Sequence, residues 1–516
     1  MSGAGNSGGA APLKGAALWV VAVALALGTF MQVLDSTIAN VSLTTIAGNL
    51  GVSADSSTWV ITAFAVANGI TVPLTGWLMG RFGVVKTFVI SVSLFTIASF
   101  ACGMAWSLPS LIVFRLIQGG VSGPMIPGSQ ALLISVFPEE KRGTALGLWS
   151  MTALVGPVAG PILGGWISDN YHWGWIFLIN VPVGIVCAGA SFLILRTRET
   201  ASRPLPIDKV GLFLLAFWVG SLQVMLDLGK NADWFNSPLI TVLGILAVIG
   251  FVAWVIWEVT DGHPAVDLSL FAKRNFALGT VAFCLGYSLF FANNLLLPLW
   301  LQQQLGYTAT WAGLVSAPSG LVAVICTPLL ARFSGKIDMR WMATLSFVAF
   351  AISYFMRAGY NTDTDFLHFM LPLLVQGVAM SVFFLSMVTL SLDGIEPDRV
   401  PSATGISNFA RITGGSFAAS LITTWWDRRE AFHQARLVDS STGYAPLYTQ
   451  AVQHLGLLGV GEHQAAGVIT RQIIGQAYLL SATDLFWLCG WVSIALIGLV
   501  WLARKPAAPT GPIAAD

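Results

Sequence analysis

Fourteen stretches of this chain stay apolar for about twenty residues, the length a helix needs to cross a hydrocarbon core of about 30 Å. They lie near residues 17–40, 59–79, 87–106, 109–134, 143–167, 174–195, 210–228, 238–257, 276–299, 312–331, 341–359, 369–391, 402–424 and 478–502. The charge content agrees. Only 9% of the 516 residues are Asp, Glu, Lys or Arg, where soluble proteins carry about 25%. So few polar side chains cannot coat several water-exposed globules, so most of the surface faces lipid. The expected fold is an all-α polytopic membrane protein with fourteen transmembrane helices. Basic and acidic residues nearly cancel, 25 against 24, so no basic field exists to gather nucleic acid. The five cysteines, Cys102, Cys187, Cys284, Cys326 and Cys489, all fall in apolar runs and read as buried structural thiols.

The first run exceeds a signal peptide's apolar region and contains Asp35, so it is expected to persist as a span. Seventeen basic residues, from Lys14, Arg81 and Lys86 to Arg504 and Lys505, fall in loops on one side. The other side holds Lys230, Arg428, Arg429, Arg436 and Arg471, the last four in or beside one long segment where the positive-inside rule is weak. This asymmetry puts both termini in the cytoplasm.

An internal repeat divides the chain. Thr58-Trp59 opens the second run as Thr310-Trp311 opens the tenth, and Arg81-Phe82-Gly83 closes the one as Arg332-Phe333-Ser334-Gly335 closes the other. Gln118-Gly119 matches Gln376-Gly377, and Gly147 matches Gly405, both at an offset of 258 residues. Short matches arise by chance singly, but in order and at matched helix positions they favour duplication. The expected architecture is six plus two plus six: residues 1–200, an inserted pair within 201–275, and 276–516. Parallel repeats of this kind place a cavity between the halves near the midplane.

Charges at membrane depth cost at least about 2.5 kcal/mol on insertion scales and mark functional candidates. Asp35 on the first run and Arg115 on the fourth lie at similar depth. Facing each other across a dry interface, they would form either a proton-coupling switch or a permanent ion pair fixing two helices. Arg411, with Asn408 one turn earlier, is a second candidate, unless it bonds helix-end carbonyls. Asp484 either snorkels to the interface or carries protons, and Arg357 lies near enough to an end to snorkel. Asn293, Asn294, Gln118, Gln376 and Asn408 are the expected polar groups of a largely apolar substrate cavity.

The fifth run reads Gly156-Pro157-Val158-Ala159-Gly160-Pro161-Ile162-Leu163-Gly164-Gly165. Glycines spaced by four let another helix approach backbone to backbone, and the prolines remove amide donors and bend the helix. The stretch reads as a gate hinge or as a packing stripe.

These residues resemble the antiporter motif of proton-coupled exporters in the major facilitator superfamily. Arg115 with Gln118-Gly119 is similar to that superfamily's fourth-helix motif, which implies a part in proton coupling. The segment Gly76 to Lys86, with Arg81 and Gly83, resembles its cytoplasmic gating loop, departing at Gly80, where the motif carries Asp. Leu34 to Val41 resembles the first-helix signature of the fourteen-span drug:proton antiporters. Thr29–Asn40, Ser168–Phe177 and Tyr307–Leu314 resemble EmrB-type inner-membrane exporters. The resemblance implies a major facilitator fold and proton-driven efflux of hydrophobic, often weakly acidic compounds. It also implies a tripartite pump with an EmrA-like periplasmic membrane fusion protein and a TolC-like outer-membrane channel. Alternatives on the same scaffold are a dedicated exporter of one endogenous lipid, fatty acid or siderophore, or a non-transporting receptor or assembly platform.

Residues 425–477 form a long polar segment with helix-compatible stretches, expected to dock the adaptor or to serve as a lid or spacer. No phosphate-binding Gly-x4-Gly-Lys-Ser/Thr run is present, and neither a zinc-protease nor a serine-hydrolase motif occurs. The six histidines show no metal-ligand spacing. The expectation is a transporter rather than an enzyme, with no cofactor beyond the proton-motive force.

Overall fold

The computed structural model describes residues 13, 15–52, 54–138, 141–202, 206–331, 337–362, 364–440 and 446–505. Lys14, Arg203, the repeat segment from Arg332 to Gly335, Lys336, and the side chains of Asn40, Pro161, Asp169 and Thr310 lie outside the described residues. Every apolar run is helical, and no strand occurs among the described residues.

In chain order the spans are Gly15–Val41; Trp59–Thr71 with Thr75–Phe82; Val84–Gly103; Leu108–Ser122 with Met125–Val136; Arg142–Asn170; Trp175–Leu178 with Asn180–Leu195; and Lys209–Gly229. They continue as Pro238–Thr260, Arg274–Gln304, Ala309–Ala331, Met339–Ala358, Phe366–Leu392, Val400–Ser440 and Glu462–Trp501. Among the described residues ten helices are long and apolar enough to cross a membrane by themselves, and two bent pairs bring the number to twelve. The other two, the fourth and thirteenth spans, are diluted by polar residues. The fourth carries Arg115, Gln118 and Gln130 and breaks at Gly123-Pro124; the thirteenth carries Asn408 and Arg411 and runs on into a polar extension. The second span bends by 59° at the break containing Pro73, where the missing amide leaves a carbonyl unpaired.

The duplicated Gln-Gly pairs have duplicated jobs. A Cβ on Gly119 would lie 2.4 Å from the Phe64 carbonyl oxygen of the second span, and one on Gly377 would lie 2.6 Å from the Ser319 carbonyl oxygen of the tenth. Each glycine therefore permits backbone contact between equivalent helices of the two repeats, and the glutamine before each is buried. The seventh and eighth spans pack on each other, and the seventh lies against both repeats. Gln223 Nε2 donates to Ser416 Oγ at 3.3 Å, Ser420 Oγ to the Leu226 carbonyl at 2.7 Å, and Trp234 Nε1 to Thr424 Oγ1 at 2.8 Å.

The two repeats meet through aromatic packing, with the Trp149 and Phe384 rings 5.8 Å apart, and through a few polar ties. Asn408 Nδ2 donates to Gln130 Oε1 at 2.9 Å, and Thr404 Oγ1 donates to the Pro127 carbonyl at 3.4 Å. Residues 425–477 differ from the expected loop with helical patches. The thirteenth span continues without a break to Ser440, a further helix spans Pro446–Leu457, and the last span begins at Glu462. Sixteen residues of helix beyond the membrane run on each side project about 24 Å at 1.5 Å per residue. Polar residues end a hydropathic run but not a helix.

Candidate functional site

Asp35 is the centre of a buried polar cluster. It sits on the first span among Leu34, Ile38 and Ala39, all buried, and is itself fully enclosed, as is Arg115 of the fourth span at 1% exposure. Arg115 Nη1 donates to Asp35 Oδ2 at 2.5 Å. The other carboxylate oxygen accepts from Gln118 Nε2 at 3.0 Å and from Asn180 Nδ2 at 2.9 Å. Both amides also donate to Ser99 Oγ, at 2.8 and 3.0 Å. The guanidinium is held in turn by the Val60 carbonyl at 3.0 Å and Gln118 Oε1 at 2.8 Å, and it lies over the Phe64 ring, 4.2 Å from its centroid.

The first, second, third, fourth and sixth spans thus all contribute to one network. A dry ion pair costs several kcal/mol per charge in desolvation unless hydrogen bonds complete it, and here both carboxylate oxygens and two guanidinium nitrogens are bonded. The pair expected from depth alone is in contact. Gln118, expected in a substrate cavity, belongs to this cluster instead, because its helix turns it toward the first and third spans. Asn180 and Ser99 were not legible, since neutral polar residues inside apolar runs carry no spacing signal.

The fifth span completes the enclosure. A Cβ on Gly156 would lie 2.5 Å from Val33 Cγ1, one on Gly160 would meet Thr37 Oγ1 at 2.1 Å, and one on Gly164 would lie 3.0 Å from the Ile38 carbonyl. The stripe is a close-approach seam on the turn of helix that carries Asp35, fastened by Thr37 Oγ1 donating to the Gly156 carbonyl at 3.2 Å. Gly165 faces open space. The helix bends by 41° between Arg142–Pro157 and Ile162–Ser168, so seam and bend occupy the same turns.

The residues expected to form a gating loop meet two partners. A Cβ on Gly76 would lie 2.6 Å from Ser402 Cα of the thirteenth span, so the repeats touch there backbone to backbone. Gly83 has φ +92°, a conformation that favours glycine. Beside it Glu199, which sequence reasoning missed, accepts from the backbone amides of Val85 at 3.0 Å and Lys86 at 2.7 Å. A carboxylate at a helix N-terminus satisfies orphan amides and favours the dipole. Arg81 lies 5.5 Å from the Trp77 ring centroid, and the Lys86 side chain is exposed.

The remaining candidates scatter. Gln376 Nε2 donates to Asn294 Oδ1 at 3.3 Å, but Asn293 Nδ2 donates to its own helix at Leu289. Asn408 ties to Gln130 and accepts from Arg411 Nε at 3.2 Å, while that guanidinium lies 4.5 Å from the Tyr287 ring centroid. The five expected cavity residues therefore occupy three places rather than one. Asp484 pairs with Arg429 at 2.6 Å and His433 at 2.9 Å, which fastens the base of the helical extension. Arg357 does not snorkel. It is fully buried, donates through Nη2 to Gln376 Oε1 and, at 3.4 Å, to Ser353 Oγ, and its Nε and Nη1 have no partner among the described residues. Depth counted from a helix end does not tell which face is turned inward. Asp227 on the seventh span is a further carboxylate that was passed over, with one oxygen accepting from Gln223 at 3.5 Å and the other buried without a partner.

The helical bundle of duplicated halves is that of a membrane transporter family: the chain belongs to the Major Facilitator Superfamily, matching it over residues 25–419. Its relatives narrow the class to EmrB-type proteins. It is 49% identical over 496 residues to the multidrug export protein EmrB of Escherichia coli strain K12, covering 96% of this chain and 97% of that one. It is 46% identical over 495 residues to the fatty acid resistance protein FarB of Neisseria gonorrhoeae, covering 96% and 98%. Two solved structures share the fold at 13% identity. One is a bacterial homologue of the human lysosomal transporter Spinster (TM-score 0.52, covering 96% of this chain and 100% of that one). The other is the human organic anion transporter MFSD10 (TM-score 0.53, covering 94% and 98%).

Proposed function

We propose that this protein exports hydrophobic, chemically varied compounds across the bacterial inner membrane in exchange for protons, as the transporter of a tripartite pump. The orientation puts both termini in the cytoplasm and the helical extension of residues 425–477 in the periplasm, where an EmrA-like adaptor leading to a TolC-like channel would meet it. The single observation that carries the reading is Asp35, a membrane-buried carboxylate paired with Arg115. Likeness to EmrB supports the substrate class.

Water reaching the cluster from the periplasm lets Asp35 take a proton. Neutral Asp35 no longer attracts the guanidinium, which keeps its bonds to the Val60 carbonyl and Gln118. The first span is then free to slide along the glycine seam of the fifth, which packs on the tenth span across the divide between the halves. Drug release and proton uptake are coupled because both need this seam to move. At a proton-motive force of about 200 mV one proton supplies roughly 4.6 kcal/mol, enough for a drug gradient on the order of a thousandfold.

The test is transport in proteoliposomes under an imposed pH gradient. Asp35→Asn is expected to assemble normally and to lose proton-driven efflux; full transport by that variant refutes the assignment.

A further inference from the structure

The second span is flanked by a carboxylate system on each side of its outer end. On one side the Val60 carbonyl holds Arg115 of the Asp35 cluster. On the other the seventh span packs antiparallel to it: a Cβ on Gly69 would lie 3.1 Å from Val219 Cγ1, and a Cβ on Gly220 would lie 3.9 Å from Val66 Cγ1. That register brings Asp227 against Thr62, only two residues along the second span from Val60, so Asp227 lies at about the membrane depth of Arg115. The seventh span also bridges the repeats here. The second and thirteenth spans touch directly at their cytoplasmic ends, Gly76 on Ser402. Toward the periplasm the seventh joins the thirteenth through the bonds of Gln223 to Ser416 and of Ser420 to the Leu226 carbonyl.

Asp227 is poorly satisfied at this junction. Its Oδ1 accepts one long bond, from Gln223 Nε2 at 3.5 Å, and its Oδ2 is buried with no partner among the described residues. No cation answers it. Lys230, one turn on, is taken by Asp427 at 2.9 Å, and Lys209 lies at the opposite end of the span. The second-span helix Trp59–Thr71 has no titratable residue, and the eighth span has only Glu258, near its cytoplasmic end. In the turn between the seventh and eighth spans, Asp233 accepts from Asn236 at 2.6 Å. On the thirteenth, Arg411 is engaged with Asn408 and Tyr287 and Arg429 with Asp484, while Arg428 and Glu430 lie beyond the membrane run. An unpaired carboxylate at membrane depth is costly, and a proton is the one cation that neutralises it without needing room.

We propose that Asp227 is a second proton-binding carboxylate, so that two protons enter for each molecule exported. The proposal rests on the export reading and fixes its stoichiometry. The two carboxylates differ in what holds them. Charged Asp35 is held by Arg115, whereas charged Asp227 has no holder, so the junction of the second, seventh and thirteenth spans closes over its neutral form. Both groups lie against the outer end of the second span, so a movement that shuts periplasmic water off from one shuts it off from the other.

The test uses the full-length protein in proteoliposomes, exchanging the monovalent cation ethidium for protons under a fixed pH gradient, with the membrane potential set by potassium and valinomycin. Two protons against one ethidium move one net charge, whereas one proton against one ethidium moves none. The unmodified protein is expected to raise its steady-state ethidium gradient tenfold for about every 60 mV of favourable potential, the conversion for one charge. Asp227→Asn is expected to exchange ethidium with no response to potential, and Asp227→Glu, which restores the carboxyl group, to recover that response. A potential response that persists in Asp227→Asn overturns the proposal. So does a ratio of one proton taken up per ethidium released by the unmodified protein, read with a pH dye; this measurement needs no variant to assemble. A one-to-one ratio leaves the export reading standing and removes only the second site. Absence of proton-driven ethidium movement in the unmodified protein removes both.

Discussion

Asp35 and Arg357 occupy corresponding regions of two repeats, and their surroundings differ in one respect. The Asp35 carboxylate is fully bonded and paired at 2.5 Å, whereas two of the three Arg357 guanidinium nitrogens have no partner. The fold is thus indifferent to the sign of the charge at this level of the bundle. What it preserves is the glutamine that holds the charge and the glycine that lets the helices close around it. Duplication supplied two equivalent polar clusters, and substitution made one self-satisfied and left the other with unpaired donors.

The largest test of this contrast is removal of each arginine. Arg115→Gln strands a buried carboxylate and is expected to cost about 3–5 kcal/mol, whereas Arg357→Gln removes an unpaired buried charge and should cost no stability or raise it. Thermal unfolding in detergent measures both, and equal losses would break the comparison.

Next comes the seam. Gly160→Ala forces a methyl group onto Thr37 and should cost about 1–3 kcal/mol together with transport, while Gly165→Ala, facing open space, should do neither. The residue of the second repeat at the same offset from Gly160 is already Ala418, so tolerance of Gly160→Ala would show that the two repeats pack alike.

Smaller effects are expected at the helix starts. Glu199 caps the third span from a distance in sequence, and Asp338 caps the eleventh from its own turn, accepting from the Arg340 amide at 3.0 Å. Glu199→Ala should cost about 0.5–2 kcal/mol and loosen the gating loop to proteolysis. The Arg340 guanidinium beside Asp338 holds its carboxyl below the ordinary carboxylate value of 3.8. A depressed folded-state value means that the stabilisation is complete above that ordinary value and fades as pH falls through the lower one. Melting temperatures of Asp338→Asn and the unmodified protein should therefore differ at neutral pH and converge only as pH falls below the ordinary carboxylate value.

Much of this was legible in the sequence, and for a physical reason. Lipid imposes length and apolarity on a span, so all fourteen runs could be counted, and charge is so costly there that Asp35 and Arg115 stood out by themselves. Neutral polar residues carry no such penalty, which hid Ser99 and Asn180. Rotation about the helix axis is also invisible to a depth count. Arg357 therefore read as a snorkelling residue and Gln118 as a cavity residue, whereas each faces a packed neighbour. The stretch from Trp426 to Arg436 read as a helical patch within a loop because hydropathy ends where lipid ends, although the helix does not.

That unbroken helix has the geometry of a lever. From Val400 to Ser440 the thirteenth span is one rod of 41 residues, about 60 Å long at 1.5 Å per residue. It touches Gly76 of the gating loop near one end and carries the extension at the other. A tilt of about 10° at the membrane surface would swing the tip by about 4 Å over the roughly 24 Å that project. A protein seated on that tip would sense which side of the transporter is open without touching its substrate.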